Sequence, residues 1–230
     1  MNILVCDDDR EIAGAVKIYL RNEGYDVFKA YNGIEALDAL KENEIHLIIM
    51  DVMMPKMDGI QATMKIREEN NIPIIMLSAK TEDYDKITGL NVGADDYITK
   101  PFNPLELVAR VKSQLRRYTN LGSMENEEGE GIYQSGGLVI NDNEKTVMVD
   151  GEQVTVTPTE FGILKLLTKN AGKVFSIDQI YESVWNEPAF NPENTVAVHI
   201  RRIREKIEIN PKNPKYLKVV WGIGYKVEKL

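Results

Sequence analysis

Residues 47–59, LIIMDVMMPKMDG, decide the fold of the N-terminal half. The run 46–51, HLIIMD, is continuously apolar up to Asp51, and 72–77, IPIIML, has the same character. A half-exposed strand alternates apolar and polar positions; a parallel strand covered on both faces does not. Working outward, short β-branched runs at 3–6, 25–29, 45–50, 74–77 and 97–99 alternate with helical patterns near 9–22, 33–42, 59–69, 82–92 and 104–117. In the first helix Ile12, Val16, Tyr19 and Leu20 share one face. Five strand–helix units over residues 1–117 predict an α/β domain with a doubly wound, five-stranded parallel sheet.

Residues 118–137 are rich in glycine and glutamate and poor in apolar residues, the composition of a linker and mobile tether. Residues 138–230 change style. Strand-like alternation in 138–157 breaks at Asn141–Glu144 and at Asp150-Gly151, a strong hairpin signal. TPTEFGILKLLTKN reads as a helix capped by Thr157 or Thr159, with Phe161, Leu164 and Leu167 inward. SIDQIYESVW gives a second helix, capped by Ser176, burying Ile180, Val184 and Trp185. After the loop NEPAFNPEN (186–194), a third helix spans 193–209, and LKVVWGIGYKVEKL closes the chain as a hairpin. Three helices and a terminal hairpin predict an α+β winged helix-turn-helix domain.

The chain has a net charge of -8, which argues against nucleic acid until its distribution is read. Residues 1–117 carry 20 acids against 15 bases, whereas 138–230 carry 12 against 13. Arg201, Arg202, Arg204 and Lys206 crowd into six positions, and a local basic stripe is the footprint that matters for phosphate. No apolar run reaches membrane-span length, and MNILVCDDD has no basic leader, so a cytoplasmic protein is expected. The single cysteine, Cys6, reads as a buried small hydrophobe.

Chemistry in doubly wound sheets sits beyond the carboxyl ends of the strands, where strand order reverses. Asp7 and Asp8 follow the first strand, Asp51 closes the third, Ser78 the fourth, and Lys100 follows the fifth. Neighbouring carboxylates repel unless a cation joins them, and hard oxygen donors suit Mg²⁺. If Asp51 is the nucleophile for a phosphoryl group, a role carboxylates can fill, Lys100 would counter the phosphoryl charge and Ser78 could donate a hydrogen bond to it. A lone strand-end aspartate is usually a cap or turn residue; the combination is what carries the chemistry. No GxxxxGK[ST] run is present, so a Walker-type nucleotide loop is not expected.

LVCDDD, LIIMDVMMPKMDG, PIIMLSA and GADDYITKPF resemble the receiver domain of bacterial two-component systems. With TPTEF, VHIRRIREKI and WGIGYKV, the whole chain resembles the OmpR/PhoB family of response regulators. TPTEFGILKLL, NPKYLKVVWGIGYK and residues 93–118 look most like the VanR regulators of glycopeptide (vancomycin) resistance. The resemblance implies that Asp51 accepts phosphate from a sensor histidine kinase, and that Asp8 and Asp51 ligate Mg²⁺ directly. Asp7 would act partly through water, with the Met53 carbonyl a further ligand. It implies switch roles for Ser78 and Tyr97 and a cis peptide at Lys100-Pro101. Phosphorylation would promote a homodimer through the surface of residues 82–117, with an apolar centre of Ile87, Leu90 and Ala109. Intermolecular Lys86–Glu106 and Asp96–Arg110 pairs would flank it, with Asp95, Lys112 and Arg117 at the rim.

On the third helix Thr195, His199, Arg202 and Lys206 form a polar face opposite the apolar stripe Val196, Ile200, Ile203 and Ile207. That polar face is expected in the major groove of promoter DNA, with Arg201 and Arg204 flanking it. The resemblance makes Thr195, Val198, Arg201, Arg202 and Arg204 contact candidates, Val198 against a thymine methyl. Many relatives carry arginine where Trp221 stands, so Trp221 is expected to cover the core or touch sugar, while Lys218 or Lys226 supplies charge. NEPAFNPEN is the candidate RNA polymerase-facing loop. The chain is expected not to turn over an external substrate, although it catalyses its own phosphoacceptance and dephosphorylation. The competing readings are a small-molecule phosphatase with an appended interaction domain, and a stand-alone interaction protein.

Overall fold

The central strands of the N-terminal half are almost continuously apolar because both sheet faces are covered. In the computed structural model, which describes residues 1–79, 92–120, 131–186 and 192–230, Leu47 through Met50 have no exposed surface. The first unit, Met1–Tyr118, runs β1 (Asn2–Cys6), α1 (Arg10–Asn22), β2 (Asp26–Ala30), α2 (Gly33–Glu42), β3 (Leu47–Asp51), α3 (Gly59–Glu69), β4 (Ile74–Ala79), β5 (Asp96–Lys100) and α4 (Pro104–Asn120). The strands are parallel in the order β2-β1-β3-β4-β5, so strand order reverses beside β1 and β3. Ile3, Val5, Ile49, Leu77 and Ile98 pack on one side with Val16 and Leu20 of α1 and Leu107 and Val111 of α4.

Local signals set the helix starts. The side chains of Asp9, Asn32 and Asp58 accept the first free N–H groups of α1, α2 and α3. The helix expected at 82–92 lies almost wholly outside the described residues, as do Lys86, Ile87 and Leu90.

The second unit covers Thr119–Leu230. An antiparallel sheet of β6 (Ile132–Ser135), β7 (Leu138–Asn141), β8 (Thr146–Val149) and β9 (Glu152–Gln153) precedes three helices. These are α5 (Pro158–Lys169), α6 (Ile177–Trp185) and α7 (Pro192–Ile207), followed by the hairpin β10 (Leu217–Val220) and β11 (Gly224–Val227). The strand β6 lies within the stretch 118–137 that composition alone reads as linker. Its pairing partner β7 supplies the order that composition cannot show. Asp150 and Gly151 both have positive φ, 48° and 93°, as the tight turn between β8 and β9 requires. Thr157, not Thr159, caps α5, in a capping box with Glu160; Ser176 and Gln179 form the same device on α6. One core joins all three helices to both sheets, with Trp185 fully buried and stacked on Tyr181 at 4.7 Å.

Candidate functional site

At the carboxyl ends of β1, β3, β4 and β5 the chain collects its acidic and basic groups. Asp7, Asp8 and Asp51 each bring a carboxylate oxygen within 4.8 Å of the other two. Lys100 Nζ donates to Asp7 Oδ2 at 2.7 Å and lies 3.2 Å from Asp51 Oδ1. Asp7 is fully buried and Asp51 is 6% exposed, while Asp8 stands in solvent. Burial pushes the Asp51 carboxyl up to about 6; Lys100 pulls it down, and Asp7 and Asp8 push it up. Burial opposes the Lys100 charge, but Asp7 and Asp51 outweigh it and hold the ammonium above its ordinary value.

Three carboxylates against one ammonium leave excess negative charge among four side chains. Together with three hard oxygen donors at close quarters, that fits a divalent cation such as Mg²⁺. Ser78 adds a second signature. Its Oγ is buried and has no hydrogen-bond partner among the described residues. Such a group normally costs about 1–3 kcal/mol, so it is a donor in want of an acceptor. Strand register puts it here: Asp51 pairs with Leu77 and Ser78 with Thr99, one residue short of Lys100.

Gly59 was not singled out from the sequence, yet it shapes the site. A Cβ there would stand 2.0 Å from the Asp51 carbonyl oxygen, so only glycine lets α3 start against the end of β3. Met53 is exposed in the loop after Asp51, and Tyr97 is half-buried on β5. The Lys100-Pro101 peptide is cis. Cys6 is fully buried, with Sγ 3.4 Å from the Asn32 carbonyl and from Met54 Sδ; burial and neighbouring carboxylates push its thiol far up, so it remains a neutral core group.

Of the charges expected to flank a dimer, Asp95, Asp96 and Arg110 are buried within the chain, while Glu106 and Lys112 are exposed. Asp95 is fully buried, accepting from Arg67 at 2.7 Å and from the Ile74 N–H at 3.0 Å. Asp96 and Arg110 pair within one chain at 2.9 Å, and Arg110 also holds Glu106 at 3.0 Å. Lys112 reaches Glu23 at 2.6 Å. The family resemblance singled out these charges; within the single chain each of them has an intramolecular partner. Ala109 is exposed as expected, next to Leu105 at 78% exposure; the Arg117 side chain lies outside the described residues.

The third helix is rotated from its expected orientation. Thr195, His199 and Arg202 are buried, while Lys206 stays exposed and reaches back to the same carboxylate as Arg202. Both cations close on Glu160, at 3.1 Å from Arg202 and 2.6 Å from Lys206, and Glu160 has no exposed surface. A buried carboxylate in the first turn of α5 thus claims the polar side of α7, which no pattern within α7 reveals. The apolar stripe Val196, Ile200, Ile203 and Ile207 is buried as expected, and Val198 is 8% exposed. Arg204 donates through Nε to the Leu217 carbonyl at 2.9 Å, tying α7 to the base of the hairpin. Among the described positions of α7, Asn194, Ala197, Arg201 and Glu205 are exposed at successive spacings of three and four residues, with Lys206 exposed beside them. Arg201 is the arginine of that arc, with its side chain 67% exposed.

At the hairpin tip Trp221 is 88% and Ile223 62% exposed, so Trp221 does not cover the core. Gly222, with φ 75°, makes the turn, and a Cβ on Gly224 would stand 1.9 Å from the Phe175 carbonyl oxygen. Lys226 pairs with Glu228 at 3.1 Å, and Lys218 bonds the Pro214 carbonyl. Of the loop 186–194, residues 187–191 lie outside the described residues.

Two family profiles match the chain: "Response regulator receiver domain" over residues 3–112 and "Transcriptional regulatory protein, C terminal" over 151–227. The regulatory protein VanR of Enterococcus faecium is 49% identical over 99% of this chain and 98% of its own length. VanRc of Enterococcus gallinarum is 45% identical over 99% of this chain and 98% of its own length. Among solved structures, a mutant of RitR matches with a TM-score of 0.76 at 26% identity, covering 100% of this chain and 99% of its own. DrrB of Thermotoga maritima, described as an OmpR/PhoB homolog, matches with a TM-score of 0.51 at 36% identity, covering 99% of this chain and 98% of its own.

Proposed function

Because this chain belongs to the OmpR/PhoB family of two-component response regulators, we propose that Asp51 is its phosphoacceptor and that the outward arc of α7 reads promoter DNA. The donor is the phosphohistidine of a sensor kinase. An Asp51 carboxylate oxygen attacks phosphorus, the P–N bond breaks as the O–P bond forms, and the electron pair leaves with the imidazole. The product is an acyl phosphate. Lys100, held between Asp7 and Asp51, faces the oxygens that gain charge, and the Ser78 hydroxyl donates to one of them. Asp7, Asp8 and Asp51 would hold Mg²⁺, with the Met53 carbonyl as a further ligand; when bound, the ion neutralises charge on the transferring oxygens. Tyr97 is the aromatic that follows Ser78 once that hydroxyl engages phosphate.

The observation that carries this reading is the convergence of three carboxylates, Lys100 and an unsatisfied Ser78 at one sheet edge. One phosphoryl group is accepted per chain, and no external substrate is turned over; the matched transcriptional domain disfavours the small-molecule phosphatase. Phosphorylation promotes a homodimer through the face carrying Leu105 and Ala109, exposed and apolar on α4. RNA polymerase is the further partner at the promoter, and glycopeptide-resistance promoters are the first to test, given the similarity to VanR. No helix among the described residues is long and apolar enough to cross a membrane, and the proposed location is the cytoplasm.

The test is labelling by a phosphorylated histidine kinase. We expect Mg²⁺-dependent incorporation of about one hydroxylamine-labile phosphoryl group per chain, absent in Asp51→Ala. Peptide mapping that finds the wild-type phosphate on another residue overturns the assignment.

A further inference from the structure

We infer that Glu205 is a positioning residue for base reading: it holds the Arg201 guanidinium on the outward arc of α7 and weakens binding to duplexes that lack the matching base. The inference rests on the promoter-binding reading above. Four cations crowd 201–206, but the fold commits three of them. Arg202 and Lys206 are drawn onto buried Glu160, and Arg204 onto the Leu217 carbonyl. Arg201 remains on the exposed arc, and its Nε donates to Glu205 Oε1 at 2.9 Å. Their side chains are 67% and 50% exposed, so both atoms of the pair sit at the surface a duplex would cover.

The chemistry of the pair is selective. Bonding through Nε directs the guanidinium edge that carries the terminal nitrogens, the edge that pairs bidentately with guanine O6 and N7. In water an exposed pair of this kind holds loosely. Once a groove displaces water the same bond strengthens, because the local dielectric falls. A carboxylate among phosphates also repels, so Glu205 lowers affinity for every duplex. Only a duplex offering guanine to Arg201 recovers the loss. A pair that both positions and repels therefore raises selectivity and lowers raw affinity.

The remaining exposed positions agree with a groove-facing surface. Ala197 is small enough to admit a base edge or a thymine methyl, and Asn194 carries an amide of the type that pairs with adenine. Among the described side chains of α7 no bulky apolar one occupies this arc, so packing against another protein domain is a poorer use of it.

The test uses the full-length chain and duplexes selected by the wild-type protein from a randomised pool. Affinities are then measured for the selected duplex, its single-base variants and a scrambled duplex at several salt concentrations. Arg201→Ala should flatten selectivity at one base pair, a loss of roughly 5- to 150-fold in preference. Glu205→Ala should flatten the same base pair, and the double variant should add little to either single change. Glu205→Ala should also bind the scrambled duplex about two- to fivefold more tightly at low salt, a gain that fades as salt rises. Glu205→Gln keeps the acceptor but not the charge, so it should show the gain on scrambled DNA and lose part of the selectivity. Thermal unfolding should move little in either variant, since the pair is exposed. An unchanged selectivity profile in Glu205→Ala overturns the inference, as does weaker binding to scrambled DNA. A wild-type chain that selects no sequence overturns the promoter-binding reading itself, and this inference with it.

Discussion

Arg202→Ala is expected to damage folding, not DNA contact. The Arg202 side chain is 9% exposed and meets Glu160, whose side chain has no exposed surface. Breaking a buried ion pair by removing one partner costs about 3–5 kcal/mol when the other charge is left alone. Here Glu160 keeps Lys206 at 2.6 Å and the Thr157 N–H at 2.9 Å, so the residual charge is partly compensated. A buried ion pair and part of a packed alkyl stem are lost, which gives about 2–4 kcal/mol. In a domain of roughly 100 residues that corresponds to a fall in Tm of about 10–25 °C. The assay is urea unfolding followed by tryptophan fluorescence in a Trp221→Phe background, so that the signal comes from Trp185, fully buried and 5.6 Å from the His199 ring of α7. Arg201→Ala in the same background should change stability by less than about 0.5 kcal/mol. If Arg202→Ala unfolds at the wild-type midpoint and binds DNA more weakly, the orientation assigned to α7 is wrong.

Three further outcomes follow from other parts of the molecule. Burial pushes the Asp142 carboxyl up, but hydrogen bonds from Lys145 at 2.8 Å and Lys165 at 2.6 Å outweigh it and leave its pKa lowered. Its stabilisation is therefore complete above the ordinary carboxylate value near 4 and disappears as pH falls through the lower folded value; Asp142→Asn should cost about 1–3 kcal/mol at pH 7, and unfolding curves should converge with wild type as pH falls through that lowered value. A constant difference across that range contradicts the assignment. Gly59→Ala places a Cβ 2.0 Å from the Asp51 carbonyl oxygen and should destabilise the receiver by about 1–3 kcal/mol, read by thermal unfolding, with slower phosphorylation of Asp51; wild-type values for both would refute the close approach. Trp221, 88% exposed, should lose iodide quenching when a selected duplex is added, whereas a wing that stays clear of DNA leaves the quenching unchanged.

The N-terminal domain was legible because its signals are local or follow from topology. Continuous apolar runs require a sheet covered on both faces, and Asp9, Asn32 and Asp58 mark the helix starts. Once the strands are parallel and ordered, Asp7, Asp51, Ser78 and Lys100 must meet at one edge. The charged partners were not legible. Asp95 and Arg67 are 28 positions apart, and Asp96 and Arg110 14 apart, so only the folded chain shows that each pair closes within one molecule. On α7 the apolar stripe Val196, Ile200, Ile203 and Ile207 was readable from its period, but the limits of the buried arc were not. A buried polar residue is recognisable only with its partner, and Glu160 lies 42 positions before Arg202. The capping box at Thr157 explained Glu160 as a local device and concealed its second role.

That second role bears on how a chain with net charge -8 can hold DNA. Non-specific affinity rises with the number of phosphates neutralised. Residues 138–230 have nearly balanced charge, and α7 commits two of its cations to the buried Glu160. A single copy therefore gains little from electrostatics alone, and its hold depends on a few placed contacts around Arg201. Two copies joined through their receivers would convert the second DNA contact into an intramolecular event, raising affinity by about 10²–10⁴ without new contacts. The weaker each half-site contact, the more completely occupancy depends on the joint. In the proposed dimer, the commitment of Arg202 and Lys206 to Glu160 would then make promoter binding depend on the proposed phosphorylation of Asp51.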